Sequence, residues 1–326
     1  MARMLGLIVR RTLVAALVAF LVASLSFGLI HAAPGEPFAA MFDNPRMTTE
    51  MAQRIRERYG LDRPLGEQYI RYMSSLVRGD MGESFLQRRP VRDVLADALP
   101  NTFLLMTTAL VVAFTLGVTL GALQAYRRGS RFDAVTGNLS LTLASIPEYL
   151  LALGLLTLFA YKFPLFPTSG MSDPVLWRFY SPFQRLVDVA YHLVLPATAL
   201  ALIYGAVVSR YQRAALLDVL PDDFVRTARA KGVSPPRVLF VHALRNALLP
   251  TITLIGLVFP ALVGGAVFVE SVFSWPGMGR TIVSALVARD HPLVVGSLVV
   301  GSVFVVLGSL VADAAAVVAD PRTRST

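Results

Sequence analysis

Six stretches of this chain run for about twenty residues or more almost free of Asp, Glu, Lys and Arg. A bilayer core of about 30 Å takes ~20 apolar residues as helix. The stretches are Thr12–Ile30, Ala98–Tyr126, Ala134–Tyr161 (interrupted only by Glu148), Val189–Ser209, Asn246–Val269 and His291–Ala312. Their length excludes the short alternating segments of a barrel, and lipid tolerates no unpaired backbone, so they are read as helices. The expected fold class is an all-α polytopic membrane protein with six transmembrane helices. Composition agrees: 55% of residues are apolar, 16% are charged and the mean hydropathy is +0.61. With no cysteine, a disulfide framework, a thiolate zinc site and a cysteine nucleophile are excluded. The four histidines, His31, His192, His242 and His291, are scattered, so neither a metal site nor a cofactor is expected.

Four regions follow from this reading: a first crossing in 1–33, an outer segment 34–99, a five-helix core 100–319 with a cytoplasmic loop 211–247, and a tail 320–326. The first run stands behind Arg10 and Arg11, as a signal peptide would, but no small-residue cleavage pattern follows before Pro34, so an uncleaved span is expected. One set of connections, including both ends and Arg210–Arg245, carries 15 Lys and Arg, against 5 in the two short connections opposite. The positive-inside bias then puts both termini in the cytoplasm. The net charge of +9 is thus read as membrane topology and not as a nucleic-acid surface.

In the outer segment, Thr48 or Thr49 is read as the cap of a helix ending at Tyr59, and Asp62 as the cap of another ending at Arg78 before Gly79. A helix over Pro90–Leu99 leads to the second span, expected to begin near Asn101 after Pro100. Past Glu270, the stretch SVFSWPGMG (Ser271–Gly279) is either a re-entrant, mouth-lining loop or an interfacial turn, with Trp275 at the lipid boundary.

The cytoplasmic loop is the best punctuated segment. Asp222 and Asp223 open a short helix with Phe224, Val225 and Ala228 as its apolar stripe. Arg229 and Lys231 fall in the last turn, and Gly232 stops it. Ser234 then caps a second helix with Pro235 in its first turn, running past His242 toward Pro250. The elbow would form a knob offering Phe224, Ala228, Ala230 and Gly232 ringed by Arg, either an ordinary amphipathic surface or a docking surface. Thr227, Ser234 and His242 face no evident base, so catalysis there is not expected.

Three acids lie in or beside the spans. Glu148 falls mid-span, where a charge costs ~2.5–3.5 kcal/mol, and Pro147 bends the helix beside it. That makes the pair candidates for a pathway or gate. Glu270 joins them as a pathway or gate candidate, one that would order the outer mouth more readily than bind solute, and Asp313 would anchor the last span. An intramembrane hydrolase using Ser297, Ser302 or Ser309 lacks a histidine at matching depth, while an ion-coupled transporter could use Glu148 and Asp313. No GxxxxGK[ST] phosphate loop is present, so ATP hydrolysis by this chain is not expected.

The run DFVRTARAKGVSPPRVLFVHALRNALLPTIT (Asp223–Thr253) resembles the coupling loop of ABC importer membrane subunits in the dipeptide, oligopeptide and nickel permease family. Further blocks share that family's pattern: GLDRPLGEQYI (Gly60–Ile70), RGDMGESF (Arg78–Phe85), SIPEYLLAL (Ser145–Leu153), GGAVFVESVFSWPGMGR (Gly264–Arg280), RDHPLV (Arg289–Val294) and DPRTR (Asp320–Arg324). The long segment after the first span is similar to the B-type member of the permease pair. The resemblance implies a type I ABC importer permease fold in the inner or plasma membrane, pairing with a second homologous permease subunit. One or two ABC ATPase subunits and an external solute-binding protein are the other implied partners, with short peptides or a similar solute as cargo. It also implies ATPase coupling through Asp223, Phe224, Arg226, Ala228, Ala230, Lys231 and Gly232. The loop departs from the general importer motif in opening Arg226-Thr227-Ala228 and placing Leu249-Pro250 farther downstream, so no acidic first contact is carried over.

Overall fold

The computed structural model describes residues 2–32, 63–258 and 266–319. Apart from one isolated bridge between Glu83 and Pro90, the regular structure of these residues is helical. In chain order the helices are α1 (Ala2–Ala32), α2 (Leu65–Val77), α3 (Val91–Tyr126), α4 (Arg131–Ser145) and α5 (Glu148–Leu156, continuing as a π turn Thr157–Lys162). Then come α6 (Pro182–Val219), α7 (Asp223–Ala230), a turn Pro235–Arg237 with a π stretch Val238–Ala243, α8 (Leu244–Val258), α9 (Val267–Val272), α10 (Met278–Val287) and α11 (His291–Ala319). Among the described residues, Thr12–Leu29, Val91–Tyr126 and Pro182–Val219 are long and apolar enough to cross a membrane, and α4 with α5 forms a fourth, bent candidate. The chain divides into two compact units, Met1–Pro100 with Arg280–Leu307, and Asn101–Gly279 with Gly308–Thr326.

In the first unit α2 lies on α1 through aromatic groups: the Phe27 ring is 5.4 Å from Tyr69 and 5.5 Å from Tyr72, and the Ser24 and Tyr69 hydroxyls are 2.7 Å apart. α2 ends at Val77 with Arg78 as its C-cap, within a residue of the expected end before Gly79, but it begins at Leu65 behind Pro64; Asp62 and the helix expected from Thr48 or Thr49 to Tyr59 lie outside the described residues. Tyr72 is half-buried, and that burial raises its hydroxyl above the ordinary phenol value.

The expected break before the second span does not occur. α3 runs unbroken through Pro100, which lacks the amide that would bond the Ala96 carbonyl. Val91, Val94, Leu95 and Ala98 form a buried stripe at helical spacing, and that packing holds the first turns in line with the rest.

A buried carboxylate orders this unit. Asp290, wholly buried, accepts from the Ser84 hydroxyl at 2.5 Å and the Leu86 amide at 3.0 Å, and it caps α11 by accepting from the Leu293 amide at 3.2 Å. One turn along α11, a Cβ on Gly296 would stand 2.5 Å from Val91 Cγ1, so α11 and the start of α3 meet without a side chain between them.

In the second unit α3 and α6 cross at backbone contact. A Cβ on Gly117 would lie 2.8 Å from the Gly205 carbonyl oxygen, and one on Gly121 would lie 2.4 Å from the Ser209 carbonyl oxygen. Small residues four apart let membrane helices approach this closely, where dispersion and polar contacts replace the missing hydrophobic drive. Polar pins follow the same region: the Ser140 and Ser209 hydroxyls are 3.1 Å apart, and buried Gln212 donates to the Ala247 carbonyl at 3.1 Å while accepting from Thr251 at 2.7 Å.

The third apolar run is not one straight helix. It breaks at Ile146–Pro147, and the halves meet at 103°. Pro147 has no amide to bond the Leu143 carbonyl, and Ile146 is held extended (ψ 129°) as the residue before a proline tends to be. The fifth run, read from Asn246, belongs to α8, which begins at Leu244 and passes through Pro250. Residues 259–265 of that run lie outside the described residues.

Candidate coupling and pathway sites

α7 carries the expected start and stop. Asp222 takes the N-cap position, though its side chain makes no capping bond, and Asp223 and Arg229 complement the helix dipole at opposite ends. At the other end Gly232 is left-handed (φ +76°), its amide donates to the Arg229 carbonyl at 2.9 Å, and the Val233 amide returns to the Ala228 carbonyl at 3.2 Å. This double closure is the Schellman stop, and glycine adopts its conformation without strain. Ser234 stands at the next N-cap, again without a side-chain bond.

Two faces of α7 are sorted by burial. Val225 and Ala228 point into a cluster with Ala122 and Ala125 of α3, Ala215 and Leu216 of α6, Val238, Leu239 and Ala243 of the π stretch, and Ala247 of α8. Burying residues such as Leu216 and Val225 is worth about 1.5–3 kcal/mol each, enough to seat a helix of two turns. Two expectations are corrected here. Phe224 does not join the inner stripe; it is 40% exposed, one position round the helix from Val225. Ala228 is not part of the outer surface, because it seats the helix on its own core. Asp223, Phe224, Arg226, Thr227, Ala230, Lys231 and Gly232 remain outside. Arg226 stands 3.6 Å from Asp223, and the Thr227 hydroxyl is spent on the Asp223 carbonyl.

The helices that carry α7 are tied by an ion pair that is not apparent from sequence. Arg213 of α6 grips Asp133 of α4 with two bonds, 2.7 and 2.8 Å long, and the Gly129 amide donates to the same carboxylate at 3.0 Å. The bond from Arg213 holds Asp133 below its ordinary carboxylate value against the opposing effect of burial, with the Gly129 amide assisting. A depressed folded value means that the stabilisation is complete above the unfolded carboxylate pKa of about 3.9 and is lost as pH falls through the lower folded one. Arg213→Met is therefore expected to cost about 1–2 kcal/mol at neutral pH, between an exposed and a buried pair. The difference from the parent should close under strong acid. Thermal unfolding of the purified assembly across pH 7 to 3 measures it, and a pH-independent gap would show that packing, not charge, makes the difference.

At the break in the third run, Glu148 opens α5. The Val269 amide of α9 bonds its carboxylate, and Tyr149 lies 6.2 Å from Phe268. Glu148 Oε1 is shielded from solvent, with no hydrogen-bond partner among the described residues.

Glu270 is different. It is wholly buried, accepts from the Thr102 hydroxyl at 2.8 Å, and packs against Gly277 and Gly279, where a Cβ would come within 2.5 and 3.1 Å of its carboxyl group. Within this chain it is enclosed by its own neighbours. The same contacts correct the reading of Trp275 as an interfacial anchor. Its ring is fully buried, its indole N–H donates to the Asn101 carbonyl at 2.9 Å, and Asn101 donates in return to the Pro276 carbonyl. The turn at Pro276–Gly277 is present, folded onto α3 and closed by the Met278 amide donating to Thr102.

The serines considered for hydrolysis are also accounted for. Ser297 and Ser302 donate to carbonyls of their own helix. The side chains of Ser309 and Asp313 lie outside the described residues. Among the described residues no group of three or more His, Asp or Glu could hold a metal ion.

Comparison with known proteins agrees with this architecture. Residues 117–325 match the family described as binding-protein-dependent transport system inner membrane component, and residues 4–106 match the N-terminal part of such membrane components. The chain is 38% identical over 320 residues to the oligopeptide transport system permease protein AppB of Bacillus subtilis (strain 168), covering 98% of this chain and 99% of that one. It is 38% identical over 333 residues to the di/tripeptide transport system permease protein DppB of Pseudomonas aeruginosa (strain UCBPP-PA14), with the same coverage. It is also 34% identical over 321 residues to the glutathione transport system permease protein GsiC of Escherichia coli O6:H1, again with 98% and 99% covered. Such systems operate with a solute-binding protein and ATPase partners, the latter supplying the hydrolysis for which this chain has no phosphate loop. With its apolar helices, its capped knob and these matches along nearly its whole length, the chain belongs to the binding-protein-dependent transport system inner membrane components, as a non-catalytic permease subunit of an ABC importer.

Proposed function

We propose that this chain, with a second homologous permease, forms the path by which short peptides enter the cell, crossing the membrane six times with both termini cytoplasmic. One or two ATPase subunits drive it through α7. The observation that carries the coupling role is the division of α7 into a seated face and an open one. Val225 and Ala228 fix it to α3, α6 and α8, while Phe224, Arg226, Ala230 and Lys231 are left for a partner. A pull on the open face reaches the spans because the seated face cannot slip. The peptide assignment is supported by the oligopeptide, di/tripeptide and glutathione systems in which its relatives serve.

Phe224→Asp puts a charge on the open face without touching the core. It is expected to reduce co-purification of the ATPase, or transport per ATP hydrolysed, at least tenfold while the chain still inserts at parental levels. Retained coupled uptake would remove α7 as the port. The parent is free of cysteine, so a single cysteine replacing Thr227 tests the topology. Labelling of whole cells by an impermeant thiol reagent would reverse it.

A further inference from the structure

Several acidic side chains in this protein are largely withdrawn from solvent, and most of them are fully employed within the fold. Asp290 has three donors, Asp133 has an arginine and an amide, Asp188 takes the Asp173 amide beside His192, and Glu270 is enclosed by Thr102 and two glycines. Glu148 differs. Among the described residues no Lys, Arg or His pairs with it, the Val269 amide bonds its carboxylate, and Oε1 has no donor. A shielded acceptor left unmet is costly, more so for a charged group, and this one stands in an apolar span where any charge is already expensive. Neither a packing role nor a capping role requires that second oxygen to remain unmet.

Its position indicates what could meet it. Glu148 is the first residue after the 103° break, and non-helical backbone at membrane depth persists where it is enclosed by protein or lines a cavity. The residue is half-buried, while Pro147, Tyr149 and Leu150 beside it are exposed, so the carboxyl group is at the margin of its own bundle. In a two-permease assembly that margin is available to close around a path. Tyr149 follows Glu148 and Phe268 precedes Val269 in the chain, and their exposed rings, 6.2 Å apart, stand at the same margin as aromatic groups of the kind a cation favours.

We infer that Glu148 is a binding group on the translocation path for the protonated amine of the transported solute, the ammonium meeting the Glu148 carboxylate at the break while the Tyr149 and Phe268 rings flank it. This rests on the peptide reading above and adds that the recognised end is the free amino terminus.

The test uses the complete transporter, with partner permease, ATPases and binding protein, reconstituted in proteoliposomes. Uptake of a free-amine dialanine and of its N-acetyl analogue is compared. The parent is expected to prefer the free amine; Glu148→Gln should lower the ratio of free-amine to N-acetyl uptake tenfold or more, and Glu148→Asp should recover part of that ratio. Equal loss of both solutes in Glu148→Gln, with the assembly intact by size-exclusion chromatography, would make the residue structural and overturn the inference. An unchanged preference would do so as well. If the parent imports neither solute although the binding protein and ATPases are active, the peptide reading itself fails and takes this inference with it. A glutamine variant that does not assemble is replaced by Tyr149→Ala, which should narrow the amine preference without abolishing uptake; a full preference there counts against the site.

Discussion

Gly121→Leu is expected to remove folded permease from the membrane, and Gly121→Ala to reduce it severalfold. The position allows no side chain. A Cβ there would meet the Ser209 carbonyl oxygen at 2.4 Å, Gln212 Cβ at 2.9 Å and the Arg213 amide nitrogen at 3.0 Å, and two of these are backbone atoms of α6 that cannot rotate away. Relief requires α3 and α6 to separate, which also pulls Gln212 from the Ala247 carbonyl and Thr251 and Ser209 from Ser140. Overpacking of a tight site costs about 1–3 kcal/mol for small insertions, and the lost bonds add to it. Gly137 and Gly154 provide the control. They lie on helices of the same unit, and a Cβ added at either would find nothing within 4 Å, so alanine at either should leave the yield unchanged. Membrane-fraction immunoblots and the thermal midpoint of the extracted complex measure all four variants. Normal assembly of Gly121→Leu would mean that α3 and α6 do not cross at this point.

Asp290→Ala is expected to destabilise the first unit by about 3–5 kcal/mol, since three hydrogen bonds to a charged acceptor, ~1.5–3 kcal/mol each and less than additive, are lost together. The carboxylate holds three elements at once: the Met81–Pro90 connection through Ser84 and Leu86, and the start of α11 through Leu293. Without it the buried Ser84 hydroxyl and Leu293 amide and the part-buried Leu86 amide lose their acceptor. Asp290→Asn keeps the shape and one acceptor oxygen, so it should lose about half as much. Proteolysis of the Met81–Pro90 connection in the assembled transporter reports the loosening. Equal protection of parent and alanine variant would remove Asp290 from this role.

Several features can be read without a fold. The apolar runs locate the helices because lipid leaves a chain no other way to satisfy its backbone. Asp223, Arg229 and Gly232 give the bounds of α7 because capping is a local property. The spacing of Gly117 and Gly121 is a small-xxx-small signal, and Asp290 with Pro292 is a helix start, but neither pattern says which element answers it. The pairing of Asp133 with Arg213, eighty positions apart, has no local sign. Trp275 departs from its expected place for a related reason. Its composition suits a lipid interface, and only the return of its turn onto Asn101 shows that the ring has a protein cavity to fill.

The chain by itself determined that it is helical, that it resides in a membrane, that it carries a stopped and charged knob, and that it has no phosphate loop. Each of these depends on interactions within about one helical turn or on the solvent around a single segment. Tertiary structure decided which face of α7 is open, that Glu270 is enclosed while one oxygen of Glu148 remains unmet, and where α3 and α6 touch. Burial and hydrogen-bond satisfaction are properties of what neighbouring helices bring, and the same residue in the same helix can be structural or available according to those neighbours.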